Sequence, residues 1–146
     1  MKETVKPDIR WLIRRDMDDV LDIEKRCFAW PDGWSEEMFL KLLRQRNCIG
    51  TVTTEEAQFG NVVGFMIYEL HQKRLELLRF AVHPDQQRKG YGAAMMQRLI
   101  DKLDQQRRDV VGVDVPEHNV GTQLFLSQCG FKAVPAGNFV RMEYWL

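Results

Sequence analysis

Apolar positions recur along the chain in two rhythms, one of period two and one of period near 3.6. Residues 9–14 form a short apolar run of strand type. Behind it Asp16 is placed to cap a helix whose Met17, Val20, Leu21, Ile23, Cys27 and Phe28 cluster on one side. Residues 29–34 hold Pro31 and Gly33 and read as a loop. Ser35, followed by Glu36 and Glu37, then starts a second helix with Met38, Phe39, Leu42 and Leu43 turned inward. Three strands are predicted next, over 49–54, Val62–Leu70 and 75–82, the last two joined by a polar turn. They make an antiparallel meander.

At residues 90–106 the pattern switches to helical period, with Ala93, Met96, Leu99, Ile100 and Leu103 on one face and Gln97, Arg98, Asp101 and Lys102 on the other. Residues 110–115 read as a buried strand and 120–129 as a short helix ended by Gly130. Residues 131–135 and 140–146 close the chain as a strand pair. Strands alternating with helices in this order imply a mixed sheet covered by helices, the α/β class. No repeat, low-complexity tract or linker divides the chain, so one domain over residues 1–146 is expected.

Charge and composition narrow the function by exclusion. Lys plus Arg and Asp plus Glu both number 21, so neither nucleic acid nor an anionic membrane surface is an expected partner. No apolar run approaches the ~20 residues that span a bilayer, and residues 1–10 lack the apolar core of a signal peptide, which points to a cytoplasmic protein. Cys27, Cys48 and Cys129 are odd in number and form no Cys-x-x-Cys. His71, His83 and His118 do not join them at metal-ligand spacing. Free, structural thiols and no metal are the expectation.

The segment with readable chemistry joins the strand ending at Val82 to the helix starting near Gly90: His83-Pro84-Asp85-Gln86-Gln87-Arg88-Lys89-Gly90-Tyr91-Gly92. Glycines at a helix start let backbone approach a ligand. First-turn N–H groups there lack intrahelical acceptors, and the helix dipole adds partial positive charge. Arg88 and Lys89 add two cations to what is, in this context, a phosphate cradle. The same residues also suit a plain strand-to-helix turn.

Here the chain resembles the GNAT acetyltransferase superfamily. Gln87-Arg88-Lys89-Gly90-Tyr91-Gly92 is similar to its pyrophosphate motif, residues 78–84 to its preceding strand, and Asn119 with the later Gly130-Phe131 to its C-terminal signature. Cys27-Phe28 leading into Trp34-Ser35 extends the likeness toward the ribosomal-protein-alanine N-acetyltransferases. The resemblance implies a mostly antiparallel sheet of six to seven strands flanked by about four helices, with acetyl-CoA as co-substrate. It also implies that backbone groups of Phe80, Ala81 and Val82 pair with the pantetheine arm. Arg88, Lys89, Gly90, Tyr91, Gly92 and Ala93 would hold the pyrophosphate, with Gln87 at the head of the motif a further cofactor-binding residue, and Asn119 would lie beside the arm. Asn119 also sits where a helix N-cap belongs.

Acetyl transfer to an amine needs a neutral nucleophile, donors for an oxyanion and a tolerable thiolate leaving group. In the resembled N-terminal acetyltransferases a glutamate five residues before the asparagine is the base, and this chain has Asp114 there. Strand alternation puts Asp114 with Val110 and Gly112, opposite Val111, Val113 and Val115. An ordinary solvated strand-end aspartate fits that position too, and Glu117 and His118 are further candidates.

The family's thiolate-protonating tyrosine falls at Leu126, so the acid is missing from its usual place. Tyr68, Tyr91 and Tyr144 are the available hydroxyls. The connection Ala136-Gly137-Asn138 is shorter than in the ribosomal-protein enzymes, which opens the acceptor side and leaves Trp30 and Trp34 as candidate acceptor walls. The resemblance implies transfer to a protein or peptide N-terminal amine. A small-molecule amine is the alternative acceptor, and a domain that binds CoA esters without turning them over is the alternative class.

Overall fold

The computed structural model describes residues 7–28, 32–55 and 60–146. Seven strands form one sheet in the order β1-β2-β3-β4-β5-β7-β6: β1 (Asp8–Trp11), β2 (Cys48–Thr54), β3 (Val62–Leu70), β4 (Arg74–Val82), β5 (Val110–Pro116), β6 (Lys132–Ala136) and β7 (Phe139–Trp145). The helices are α1 (Met17–Cys27), α2 (Glu36–Leu43), α3 (Tyr91–Gln105) and α4 (Val120–Gln128). Every strand pair is antiparallel except β4 with β5, which run parallel because α3 carries the chain back across the sheet. The mixed, mostly antiparallel sheet with four helices is thus as expected.

Two apolar clusters sit on the two faces of the sheet. On one, Met95, Met96, Leu99 and Leu103 of α3 and Leu126 of α4 pack on Met66, Leu75, Leu77, Val111, Val113, Val115 and Met142. On the other, Val20 and Ile23 of α1 and Phe39 of α2 pack on Val52, Phe65, Ile67 and Ala81. There α1 lies over β3 and β4, and α2 over β2. Over β5, β7 and β6 this second face carries no helix among the described residues, and Asp114, Val134 and Trp145 are exposed.

Local departures from the sequence pattern have identifiable causes. Met38 is exposed while Phe39 is fully buried, its ring edge-on to Trp34 and Phe65 at centroid distances of 5.2 and 5.6 Å. Ala93, expected inward, is exposed, and Met95 takes the core position, because the buried stripe of α3 runs Tyr91, Met95, Met96, Leu99, Leu103. The first strand ends at Trp11, and residues Arg14–Asp16 form a 3₁₀ turn. Asp16 stands at the N-cap position of α1, as expected, but makes no side-chain capping bond to it. Its buried carboxylate turns back to accept from Arg10 Nη1 and Nη2 at 2.7 and 2.9 Å and from the Ile13 N–H at 2.8 Å.

Burial alone would raise the Asp16 carboxyl, but the Arg10 and Ile13 hydrogen bonds outweigh it and hold the group below its ordinary value. A carboxylate with a depressed folded-state pKa stabilises fully above its unfolded value, about 4, and loses that contribution as pH falls through the lower folded value. Asp16→Asn should therefore flatten the acid limb of the stability curve below about pH 4. Urea midpoints measured from pH 7 down to pH 2 check this.

Candidate active site

β4 and β5 are paired over only four rungs, from Arg74 opposite Val110 to Leu77 opposite Val113. Beyond them β4 runs on to Val82 and β5 to Pro116 without meeting. The split coincides with a β-bulge. The β3–β4 register passes from Ile67 opposite Arg79 to Tyr68 opposite Leu77, which leaves Leu78 as the extra residue. A bulge bends and twists its strand, and here it turns β4 away from β5. Among the described residues the fork leaves the β5-facing main-chain groups of Phe80 and Val82 without a strand partner, while those of Ala81, expected to join them, turn the other way to Phe65 of β3. Asp114 is the first residue of β5 past the parting point.

The end of β4 leads directly into the loop before α3. Pro84–Gln86 form a 3₁₀ turn, with the Asp85 N–H donating to His83 Nδ1 at 3.1 Å. Arg88 adopts φ 65° and Gly90 φ 94°, ψ 1°, so two left-handed residues turn the chain into the helix. Only glycine takes that conformation at no cost, which accounts for Gly90. The first helical donor to find its acceptor is the Ala94 N–H, 3.1 Å from the Gly90 carbonyl. The N–H groups of Tyr91, Gly92 and Ala93 precede it, open at the positive end of a 15-residue helix.

Residues of the loop and of the first turn of α3 have structural work of their own. The Gln87 side-chain amide donates to the Val82 carbonyl at 3.0 Å and braces the loop against β4, while Cys27 Sγ donates to the same carbonyl at 3.3 Å. The Val82 carbonyl is thus already occupied twice. A Cβ at Gly92 would lie 3.0 Å from the Phe125 ring, so that glycine lets α3 and α4 approach. Phe125 in turn lies 6.0 Å from Phe80, closing the α4 side of the fork with an aromatic pair. Lys89 Nζ reaches Gln86 Oε1 at 3.1 Å, and Arg88 and Lys89 are both exposed.

On the uncovered face Asp114 is 54% exposed, and its Oδ1 accepts from Arg141 Nη1 at 3.2 Å. As its strand alternation requires, Val111, Val113 and Val115 point the other way into the core. Asn119 is the N-cap of α4, its Oδ1 accepting from the Thr122 N–H at 3.2 Å. Glu117 and His118 lie exposed on the preceding turn. Leu126 is fully buried in the core. Of the tyrosines, Tyr68 is buried within the same cluster, with burial raising its hydroxyl pKa. Tyr91 is buried at the start of α3, and Tyr144 packs on Phe131 at 5.8 Å. Burial also raises the thiols of Cys27 and Cys129, and that of Cys48 to about 11, so all three stay protonated at neutral pH.

Trp30 lies outside the described residues. Trp34 donates its N–H to a buried ion pair, Glu24 with Arg79, that the sequence pattern does not reveal. Glu24, 1% exposed on α1, accepts from Arg79 Nε at 3.0 Å, from Arg79 Nη2, and from the Trp34 N–H at 2.8 Å. Arg79 Nη2 also donates to the Asp32 carbonyl at 2.7 Å, and its guanidinium lies 3.4 Å over the Phe28 ring and 4.9 Å from Trp34. Arg79 follows the Leu78 bulge directly, so this network ties the fork to α1 and to the segment leading into α2. Its signal in the sequence was a charge on an otherwise apolar face, Glu24 beside Ile23 and Arg79 between Leu78 and Phe80. Among the described residues no three His, Cys, Asp or Glu side chains converge as a metal site, and no helix is long and apolar enough to cross a membrane.

The comparisons agree with this geometry. The model of the acetyltransferase (GNAT) family matches residues 17–131. The [ribosomal protein bS18]-alanine N-acetyltransferase of Escherichia coli strain K12 is 29% identical over 116 residues, 80% of this chain and 74% of the relative. Ard1 from Thermoplasma volcanium superposes with a TM-score of 0.82 at 22% identity, covering 97% of this chain and 99% of its own. The PaiA N-acetyltransferase of Thermoplasma acidophilum, solved in complex with coenzyme A, superposes with a TM-score of 0.77 at 17% identity, covering 97% and 99%. With its forked sheet, its open helix N-terminus and a family match across most of its length, the chain belongs to the acetyltransferase (GNAT) family and is an acetyl-CoA-dependent N-acetyltransferase.

Proposed function

We propose that this acetyltransferase carries the acetyl group of acetyl-CoA to a protein or peptide N-terminal amine by direct attack, with Asp114 as general base. The observation that carries the reading is the place of Asp114. It is the first residue of β5 beyond the fork, with its carboxylate exposed on the face that carries no helix among the described residues. The α-amine has an ordinary pKa of ~8, so a modest base suffices to supply its neutral form, whereas a lysine amine at ~10.4 demands more.

The residues present fit the co-substrate. The N–H groups of Tyr91, Gly92 and Ala93, with Arg88 and Lys89 beside them, form the anion site for the pyrophosphate, and Gly90 sets their direction. Gln87 acts on that site by bracing the loop. The free main-chain groups of Phe80, with what remains of Val82, pair with the pantetheine arm, Ala81 between them being turned to Phe65 of β3, and Asn119 stands at the head of α4 on the other side of the fork. Acetyl-CoA supplies an activated acyl group on a thiol whose ordinary pKa of ~8.5 makes it a fair leaving group. With Leu126 in the core, thiolate departure proceeds without an acid at that position.

The name of the Escherichia coli relative supports a protein N-terminal acceptor. The two-residue connection between Ala136 and Phe139 favours a second reading, a small-molecule amine, because so short a hairpin offers little wall for a peptide. Asp114→Asn should lower kcat about 10²-fold while leaving the affinity for acetyl-CoA unchanged. Steady-state rates with calorimetric binding of acetyl-CoA check it, and a variant as fast as wild type would remove Asp114 from the chemistry.

A further inference from the structure

Three carboxylates on the uncovered face converge on one residue. Arg141 of β7 donates from Nη1 to Glu76 Oε2 at 2.7 Å and to Asp114 Oδ1 at 3.2 Å, from Nη2 to Glu76 Oε1, and from Nε to Glu143 Oε2 at 3.2 Å. Its side chain is 18% exposed, Glu76 is 12%, and Asp114 is 54%. The guanidinium lies directly over Gly112, where an added Cβ would sit 2.0 Å from Nη2 and 2.5 Å from Cζ. Glu76 is opposite Gly112, one rung before the parting of β4 and β5, and Asp114 is opposite Arg141. One guanidinium therefore bridges the last paired part of the sheet and the first residue of the open arm.

We propose that Arg141 is a positioning residue for acetyl transfer: anchored on Glu76, it holds the Asp114 carboxylate at the mouth of the fork, and Gly112 is glycine to let the guanidinium reach it. The inference rests on the reading of Asp114 as the base. The bidentate grip of Glu76 fixes the plane of the guanidinium, and the bond to Asp114 then fixes a short side chain that solvent would otherwise leave free to turn. With Oδ1 engaged by Arg141, Oδ2 is left as the oxygen to take the proton of an ammonium. Arg74 Nε also lies 3.7 Å from Glu76 Oε1, so three carboxylates share two guanidiniums and one negative charge is left over to attract that cation.

The test is a double-mutant cycle on the intact enzyme: Arg141→Gln and Arg141→Lys, each alone and combined with Asp114→Asn, with kcat and the KM for acetyl-CoA measured separately. Arg141→Gln is expected to lower kcat by roughly tenfold to a hundredfold with that KM nearly unchanged, Arg141→Lys to recover part of the loss, and neither to slow the Asp114→Asn enzyme further. A loss of the same size in both backgrounds, or no loss in either, overturns the inference while leaving Asp114 in place. An Asp114→Asn enzyme as fast as wild type removes the base reading and this one with it. If Arg141→Gln fails to fold with Glu76 left alone, Gly112→Ala keeps both charges and displaces the guanidinium. It should reproduce the loss in kcat, and wild-type turnover in a folded Gly112→Ala enzyme overturns the inference.

Discussion

Gly90→Val is expected to weaken acetyl-CoA binding by at least about a hundredfold. Gly90 stands at φ 94°, a conformation that costs a β-branched L-residue roughly 1–2 kcal/mol or more and that valine escapes by rotating the peptide. Rotation there redirects the N–H groups that open α3. Charge-assisted hydrogen bonds contribute about 1.5–3 kcal/mol each, and losing two of them amounts to at least ~3 kcal/mol, or about two powers of ten in Kd. Isothermal titration of acetyl-CoA into both proteins reads the difference directly. Gly92→Val is the poorer probe, since its side chain collides with Phe125 and would report helix packing as much as binding.

Glu24→Ala is expected to cost about 3–5 kcal/mol of folding stability, a large share of the roughly 5–15 kcal/mol that holds a domain of this size. The substitution leaves the Arg79 guanidinium, 14% exposed, without its carboxylate, and frees the Trp34 N–H. Replacing both partners by apolar residues of similar size, Glu24→Leu with Arg79→Met, should recover most of the loss, because the penalty arises from the stranded charge rather than from the absence of the pair. Urea unfolding of the three proteins distinguishes this from a simple cavity, for which the double substitution would bring no recovery. Because Arg79 borders the bulge at Leu78, the single variant should also lose turnover beyond its loss of folded protein.

The elements were legible because each strand and helix carries its own rhythm. Val62–Leu70 is an apolar run broken only near its end by Glu69 and has the observed limits, Ser35 caps α2 through the Met38 N–H, and the loop at Gly90 announces itself by its glycines and cations. The fork was not legible. It arises from a register shift at Leu78 and from four rungs of pairing between strands whose partners lie 36 residues apart, as Arg74 and Val110 do, and neither leaves a local pattern. The ion networks were hidden for a related reason. Glu76 and Arg141 are separated by 65 residues and Glu24 and Arg79 by 55, so each member alone reads as a solvated charge. Their clue was positional: Arg141 between Val140 and Met142, and Glu76 between Leu75 and Leu77, are charges inside apolar strands, and such charges need partners. Ala93 and Met95 show the remaining limit, since adjacent small and large apolar residues near a helix start fit either side until the helix is rotated onto its sheet.

The measurement that bears most directly on the proposed function is the site of acetylation on one peptide that has both a free N-terminal alanine and an internal lysine. It is incubated at pH 7 with acetyl-CoA and the wild-type enzyme and mapped by fragmentation mass spectrometry. A single acetyl group is expected on the α-amine, formed well above the enzyme-free rate. Acetyl on the lysine side chain, or an untouched peptide beside rapid acetylation of a small diffusible amine, would contradict it.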